Sequence, residues 1–426
     1  MTTKIFLISV VVSFVLFSSC ESNTPDNRTE TDPKKTELTG EETVMVTDEK
    51  HFAVKFFETV YESDKNADNI VISPFGMNMA LGVLRNGAEG ETKRVMQEVM
   101  GMKDFTDSEI NAYFKELSDY LMAPNPFFTD PSVELAIANS IWYNKDTYVI
   151  KPDFADLSKT WFDASITGLD YSSMEKAVKI VNQWCEDHTN GLIKGMLEDL
   201  TDIEILNALY FKGNWSAGCE FDVSKTTKQD FTKEDGSRIP VDLMHNELDL
   251  TYYEDDYLSM TNIPYGFIGA YKMYFVLPNE GVAFGDMVGQ LAKPGYWEQC
   301  LANTRPGKVD IYIPKFKLEY KIGELKEVLV QMGMGIACDA STAEFPHIAN
   351  TNYAIGRATQ KTLIRVDEKG TESAAITEFG ATGSTGADHE YPFHTFRADR
   401  TFLFVIQENS TGTILFMGKA GNPAEE

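Results

Sequence analysis

The sequence is most informative at residues 207–215, which read Asn-Ala-Leu-Tyr-Phe-Lys-Gly-Asn-Trp. Residues 206–211 are aliphatic or aromatic with one amide and precede a glycine-containing polar turn, a pattern that predicts a β-strand. Four later runs have the same character and are also predicted to be strands: residues 271–277, 309–313, 402–406 and 414–417. Residues 408–412 predict the turn of a hairpin between the last two.

Helices are indicated mainly in the first third of the chain. The pair Ser73-Pro74 predicts a helix start, because serine caps well and proline suits the first helical position. Two apolar stripes at helical spacing each end at a glycine: Val95, Met96, Val99 and Met100 before Gly101, and Ile322, Leu325, Leu329 and Met332 before Gly333. Helices followed by strands predict an α+β fold rather than an alternating parallel one.

The N-terminus predicts an exported protein. Lys4 precedes an apolar run at residues 5–17, which is too short for a confident transmembrane helix and fits a signal peptide at residues 1–19. The run ends at Phe17-Ser18-Ser19-Cys20, which resembles the lipobox of bacterial lipoproteins. We therefore expect Cys20 to carry lipid and to hold the protein at a bacterial envelope membrane. An ordinary signal peptide that happens to end near a cysteine is the alternative.

A polar segment separates the leader from the folded domain. Residues 20–48 contain few large apolar side chains, so we expect a flexible acidic and polar tether. From residue 49 to 426 apolar side chains recur without another long polar break, which predicts one domain.

Composition and motifs exclude several classes of function. The chain has 65 acidic and 38 basic residues and a net charge of −27, which disfavours nucleic-acid binding. No Gly-x-Ser-x-Gly, His-Glu-x-x-His or phosphate-binding glycine motif occurs, so we expect no catalytic residues, metal or cofactor. Cys185, Cys219, Cys300 and Cys338 are widely spaced, and buried free thiols are favoured over disulfides, although spacing leaves both open.

Residues 367–387 are unusual for a globular protein. Their first half alternates like a strand, with Thr371, Ser373, Ala375 and Thr377 on one face and Glu372, Ala374, Ile376 and Glu378 on the other. A strand with one face of small side chains is able to enter a narrow slot. The second half consists mostly of glycine, alanine, serine and threonine, which favours an exposed loop. A solvated linker between two strands is the alternative.

Five motifs in order resemble the serpin family of protease inhibitors. They lie at residues 69–75, 181–197, 207–215, 396–406 and 414–423, and the likeness spans residues 50–423. The resemblance implies helices around three β-sheets, with an exposed reactive-centre loop at about residues 368–395. Thr401 departs from the family pattern, in which proline is commoner at that position.

The resemblance also implies roles for individual residues. The family's hinge matches Glu368, Gly370, Thr371, Ser373, Ala375 and Thr377. Ser73, Asn207 and Gln360 match the shutter, where the main sheet opens, and Trp215 matches the breach, where the hinge enters. In inhibitory members a protease cuts the loop, the hinge inserts into the main sheet, and the covalently attached protease is distorted. Gln360 stands where histidine is common, and Ile376 is bulkier than usual but lies on the outward face.

Counting forward from the hinge predicts the reactive bond at Ser384-Thr385, within a range that includes Ala381, Thr382 and Gly383. No lysine or arginine lies between residues 370 and 396, so trypsin-like targets are disfavoured. Elastase-like or subtilisin-like proteases fit the small side chains, and a cysteine protease remains open. We expect a monomeric inhibitor that forms a covalent complex with its target endopeptidase. A non-inhibitory binding or carrier protein is the alternative, and a hydrolase using Ser384 is a weaker one because no activating base is evident.

Overall fold

The computed structural model describes residues 40–123, 130–355, 358–371 and 391–424. Its helices, in chain order, are α1 Gly40–Ser63, α2 Pro74–Arg85, α3 Gly90–Val99, α4 Asp107–Met122, α5 Pro152–Phe162, α6 Met174–His188, α7 Phe284–Leu291, α8 Tyr296–Ala302, α9 Leu325–Leu329 and α10 Gly335–Cys338. No helix in these ranges is long and apolar enough to cross a membrane.

Its strands, in chain order, are β1 Asn69–Ile72, β2 Val133–Asn144, β3 Ser165–Leu169, β4 Ile203–Asn214, β5 Thr227–Thr232, β6 Arg238–Glu254, β7 Leu258–Tyr265, β8 Tyr271–Pro278, β9 Arg305–Pro314, β10 Phe316–Lys321, β11 Lys361–Asp367, β12 Gly370–Thr371, β13 Phe393–Arg397, β14 Phe402–Glu408 and β15 Ile414–Ala420. The five predicted strands lie within β4, β8, β9, β14 and β15, and the predicted hairpin joins β14 to β15. The predicted α+β class is confirmed.

The predicted helix start at Ser73-Pro74 and the two predicted helix stops at Gly101 and Gly333 are found in the structure. Ser73 caps α2, because its Oγ accepts a hydrogen bond from the Gly76 amide at 3.2 Å. The first apolar stripe lies on α3, and Gly101 follows that helix with a φ of +75°. In the second stripe, Leu325 and Leu329 lie on α9, whereas Ile322 precedes that helix. Gly333, with a φ of +115°, interrupts the helical path before α10.

The described strands form two hydrogen-bonded sheets. The larger has nine strands in the order β1-β15-β14-β8-β7-β6-β9-β13, with β5 paired to the side of β6. Strand β6 is 17 residues long and pairs with β5 and β9 before it reaches β7. Strand β6 thus joins two parts of the larger sheet. If these two parts are counted as separate sheets, they and the smaller sheet make up the three sheets that the serpin resemblance implies.

The smaller sheet has the order β10-β11-β12-β4-β2-β3 and holds the predicted hinge. Its pairings are antiparallel except that of β2 with β3. One face packs on the main core, which includes Leu209 and Phe211 of β4. The other face lies under α6, where Leu206 of β4 packs with Val181 and Cys185.

The predicted tether is wrong for residues 40–48. These residues form the first turns of α1, and Met45 and Val46 are buried in the main core. Two adjacent apolar side chains suffice here because the helix continues into the strongly apolar stretch that includes Phe56 and Phe57. Residues 1–39, including Cys20, lie outside the described residues.

Candidate functional site

The predicted hinge enters the smaller sheet through the short strand β12. Gly370 and Thr371 pair with Asn214 and Gly213 of β4 on one side. On the other side they pair with Asp367 and Val366 of β11. The two-residue strand therefore lies between β4 and β11, at the end of the sheet where β4 finishes.

Gly370 is required by the close approach of its backbone to β4. Its φ is +149°, and a Cβ atom built on it would lie 2.0 Å from the carbonyl oxygen of Gly213. No side chain fits that distance, and the φ itself favours glycine. The predicted hinge glycine thus has a local structural reason.

Trp215 holds the main chain that leads into β12. Its backbone N–H donates to the carbonyl of Lys369 at 2.7 Å. Its indole Nε1 donates to the carbonyl of Asp367 at 3.1 Å. The indole is buried and stacks on Tyr265 with the ring centres 4.6 Å apart. Trp215, predicted to lie at the breach, therefore contacts the hinge through its main chain, and its side chain contacts the residue just before the hinge.

Thr371 points into the protein, as the predicted alternation requires. Its side chain is fully buried, and its Oγ1 lies 2.6 Å from the hydroxyl oxygen of Tyr265. Burial raises the pKa of Tyr265 far above its usual range, although the hydrogen bond to Thr371 opposes this. The phenol therefore remains neutral, and either hydroxyl is able to donate in this hydrogen bond.

Glu368 anchors the start of the hinge through three contacts. Its Oε2 lies 2.9 Å from Lys315 Nζ, and its Oε1 accepts a hydrogen bond from Thr226 Oγ1 at 2.9 Å. Its carbonyl accepts from the Phe221 amide at 2.9 Å. Burial by itself would raise the pKa of Glu368, but the hydrogen bonds and the charge of Lys315 outweigh it and lower the pKa. Glu368 is therefore ionised at neutral pH.

Ser73 and Gln360 form a reciprocal pair near the middle of β4. The Ser73 amide donates to Gln360 Oε1 at 2.9 Å, and Gln360 Nε2 donates to the Ser73 carbonyl at 2.8 Å. The side-chain amide thus satisfies both main-chain groups of the residue that caps α2. The expectation that glutamine still hydrogen-bonds where histidine is common is confirmed.

Asn207 lies beside this pair on β4. Its Nδ2 donates to Asn139 Oδ1 at 2.9 Å, and Asn139 Nδ2 donates to the Phe162 carbonyl at 2.7 Å. A Cβ atom on Gly76 would lie 2.3 Å from Asn207 Oδ1, so α2 approaches β4 very closely here. Asn207, Gln360 and Gly76 line a small cavity of about 40 Å³. Trp215 is eight positions further along the chain, roughly 26 Å away at about 3.3 Å per residue.

The structure therefore places the predicted residues at two positions along β4. Ser73, Asn207 and Gln360 meet near the middle of the strand, and Trp215, Glu368, Gly370 and Thr371 meet at its C-terminal end. The remaining predicted site residues lie outside the described residues: Cys20, Ser373, Ala375, Thr377, Ala381, Thr382, Gly383, Ser384 and Thr385. The description resumes at Tyr391, and β13 then pairs in parallel with β9.

Four contacting residues were missed by sequence reasoning: Tyr265, Lys315, Thr226 and Asn139. Each reaches the site from a different part of the chain, so no local spacing signals its role. A tyrosine and a lysine beside two strand ends are ordinary features of a sequence. Their function follows only from the sheet order.

Cys185, Cys219, Cys300 and Cys338 are free thiols, as the favoured interpretation predicted. Three are buried, and Cys219 is half-buried. Burial raises the pKa to about 12 for Cys185 and Cys300 and to about 11 for Cys219 and Cys338. These thiols are therefore protonated at neutral pH, and we expect them to react slowly as nucleophiles.

Comparisons with known proteins agree with this arrangement. An uncharacterized serpin-like protein of Thermococcus kodakarensis is 33% identical over 376 residues, covering 87% of this chain and 84% of that protein. The crystal structure of the thermophilic serpin tengpin in its native state has a TM-score of 0.78 and 26% identity, covering 91% of this chain and 96% of tengpin. The structure of thyroxine-binding globulin with thyroxine has a TM-score of 0.75 and 26% identity, covering 89% and 100%.

A family model matches residues 47–423 and is described as Serpin (serine protease inhibitor). The match covers well over half of the chain and includes β4 and the hinge. This chain belongs to the serpin family.

Proposed function

We propose that this serpin is an inhibitor of endopeptidases that acts by loop cleavage and insertion into the smaller sheet. The observation that carries the proposal is the position of β12 between β4 and β11. Because β12 already pairs with both strands, further residues of the cut loop would extend it by continuing its pairing with β4 and with β11.

The register of β12 supports a specific course for the inserted strand. Gly370 faces Asn214 and Thr371 faces Gly213, so each later residue would pair one position earlier in β4. Continued in this way, Thr377 would lie opposite Asn207. The same count on the β11 side, from Thr371 opposite Val366, brings Thr377 level with Gln360. The last small residue of the predicted hinge would thus reach the pair of amides at the shutter.

The faces of β4 explain why small side chains are needed. In this register Ser373 would lie opposite Phe211, and Ala375 opposite Leu209. Both of these β4 residues belong to the main core. Residues opposite each other in an antiparallel pair project to the same side, so Ser373 and Ala375 would face a filled core. Large or charged side chains there would have to displace packed atoms.

The predicted target follows from the loop sequence. We propose cleavage at Ser384-Thr385, with an acyl bond from the loop to the protease's catalytic serine, or to the thiol of a cysteine protease. The small residues at 381–385 suit elastase-like or subtilisin-like pockets. The absence of lysine and arginine from residues 371–396 removes the ion pair on which trypsin-like selection depends.

The test is to mix residues 40–426 with pancreatic elastase or subtilisin and analyse the mixture on denaturing gels. We expect a complex that survives boiling, and mass spectrometry of the released C-terminal peptide identifies the cleaved bond. Trypsin serves as the control protease and should form no complex. Clean cleavage of the loop with undiminished protease activity would instead support the alternative of a non-inhibitory binding or carrier protein. Thyroxine-binding globulin, which is similar in structure to this chain, was solved with bound thyroxine.

We also propose that the protein is a monomer anchored to a bacterial envelope membrane through lipid on Cys20. The lipobox-like sequence at residues 17–20 supports this proposal. Cys20→Ala should release the protein into the soluble fraction and abolish incorporation of labelled fatty acid. Continued acylation of the Cys20→Ala variant would contradict the assignment.

A further inference from the structure

A basic cleft lies beside the hinge, between the ends of the two sheets. It has a volume of about 460 Å³. Its charged lining consists of Lys228, Lys315, Lys317, Arg365, Asp242 and Asp367. Four cations and two carboxylates give the cleft an excess of positive charge, in a chain whose net charge is −27.

The excess is concentrated on Lys317 and Arg365. These residues are direct cross-strand partners in β10 and β11, and both are exposed. Like charges placed opposite each other in an antiparallel pair are destabilising. Among the residues that the structure describes, neither side chain has an acidic partner. Within the described ranges, no carboxylate therefore compensates the charge of this pair.

The other charged groups of the cleft are already matched. Lys228 lies 3.2 Å from Asp242, and Lys315 lies 2.9 Å from Glu368. The carboxylate of Asp367 accepts a hydrogen bond from the Lys369 amide at 2.9 Å. An anion entering the cleft would thus meet its strongest attraction at Lys317 and Arg365.

The same two strands contain a natural comparison for this pair. Lys321 and Lys361 are also direct cross-strand partners. There, however, Lys361 lies 2.6 Å from Glu319 and also donates to the Lys194 carbonyl. One like-charge pair is therefore compensated by a carboxylate, whereas no described carboxylate compensates the pair in the cleft.

We propose that the cleft binds a small anion that carries two or more phosphoryl groups. The planar guanidinium of Arg365 suits bidentate contact with one phosphoryl group, and Lys317 adds a second charge beside it. Lys315 and Lys228 line the same cleft and supply cations for a second group. The volume falls within the range of about 300–1,000 Å³ that small-molecule sites occupy.

Binding at this cleft would also affect the hinge. Lys315 both lines the cleft and pairs with Glu368, so a bound phosphoryl group competes with Glu368 for the same ammonium. The anion therefore loosens the anchor of the hinge and speeds insertion of the cut loop. This consequence rests on the proposed inhibitory function, whereas binding itself does not.

The test is calorimetric titration of the protein with tripolyphosphate at about 0.15 M salt, where exposed charges are substantially screened. We expect saturable binding at one site, and Lys317→Gln/Arg365→Gln should weaken it by at least about tenfold because two charge-assisted contacts are lost. Lys321→Gln is the matched control on the same strand and should change affinity by no more than about twofold.

Thermal unfolding distinguishes an anion-binding site from a pair of like charges that binds nothing. Tripolyphosphate should raise the Tm of the wild-type protein and leave that of Lys317→Gln/Arg365→Gln unchanged. Without ligand, the double variant should be at least as stable as the wild type, because the repulsion is gone. Absence of saturable binding, or equal affinity in the wild type and the double variant, would overturn the proposal. Binding without any protease complex would contradict only the proposed inhibitory function.

Discussion

Replacing Thr371 by valine tests the buried contact between the hinge and Tyr265. The substitution keeps the shape of the side chain and removes only the hydroxyl that lies 2.6 Å from the Tyr265 hydroxyl. Both side chains are fully buried, and neither hydroxyl has another hydrogen-bond partner among the described residues. Thr371→Val thus leaves a neutral phenol unsatisfied, which should lower the free energy of unfolding by about 1–3 kcal/mol.

Tyr265→Phe provides the second side of a double-mutant cycle. It keeps the ring that stacks on Trp215 and should cost a similar amount, because it leaves the threonine hydroxyl unsatisfied. With both hydroxyls removed, no buried polar group remains without a partner. The double variant should therefore be more stable than the sum of the single effects predicts, by about 1–2 kcal/mol.

The assay is urea-induced unfolding followed by circular dichroism, with recovery of the native spectrum checked for every variant. The quantity that decides is the coupling energy rather than either single effect. A coupling below about 0.3 kcal/mol would show that the two hydroxyls are not partners in solution. The position of Thr371 in β12 would then be wrong.

Three further predictions concern the hinge, its anchor and the thiols. Thr371→Arg should turn the proposed inhibitor into a substrate, measured as loss of the boiling-resistant complex on gels. The control Thr227→Arg, at an exposed position, should still form the complex. The folded-state pKa of Glu368 is lowered from an ordinary value of 4.5, so its ion pair stabilises the protein above that pH and the stabilisation disappears as the pH falls through the folded pKa. Lys315→Met should therefore move acid unfolding to higher pH, and an unchanged midpoint would argue against the pair. Because burial raises the pKa of all four cysteines of the described domain, a thiol reagent at pH about 8 should modify the native protein slowly, beginning with the half-buried Cys219, and modify all four after denaturation.

Five strands, β4, β8, β9, β14 and β15, were predictable from the sequence because their apolar runs are both long and cleanly bounded. Residues 402–406 and 414–417 are buried on both sides, and the turn between them contains Gly412 with a φ of +82°. The start of α1 was missed for the opposite reason. Among the described residues before Glu49, Met45 and Val46 are the only buried apolar ones, and the mean hydropathy of a polar segment conceals two such residues.

The site was predictable wherever a single residue has to meet a local requirement. Gly370 is such a residue, since its φ and its approach to Gly213 admit no side chain. Lys315 and Tyr265 were not predictable, because each meets the hinge only after sheets with distant strands have formed. The sequence shows which hinge residues have small side chains. The order of the strands shows which core residues those side chains would face.

The hydrogen bonds at the shutter indicate how the proposed insertion could proceed at modest cost. Gln360 is tied to Ser73 at the start of α2, whereas Asn207 is tied to Asn139 in the neighbouring strand β2. Among the described residues, no hydrogen bond joins Asn207 to Gln360. An inserted strand needs β4 and β11 to lie two strand spacings apart along its length, roughly 9.6 Å. Each amide would keep its own partner during that separation, so insertion breaks none of these bonds. We therefore expect the close approach of α2 to β4 at Gly76 and Asn207, rather than these hydrogen bonds, to resist the proposed opening.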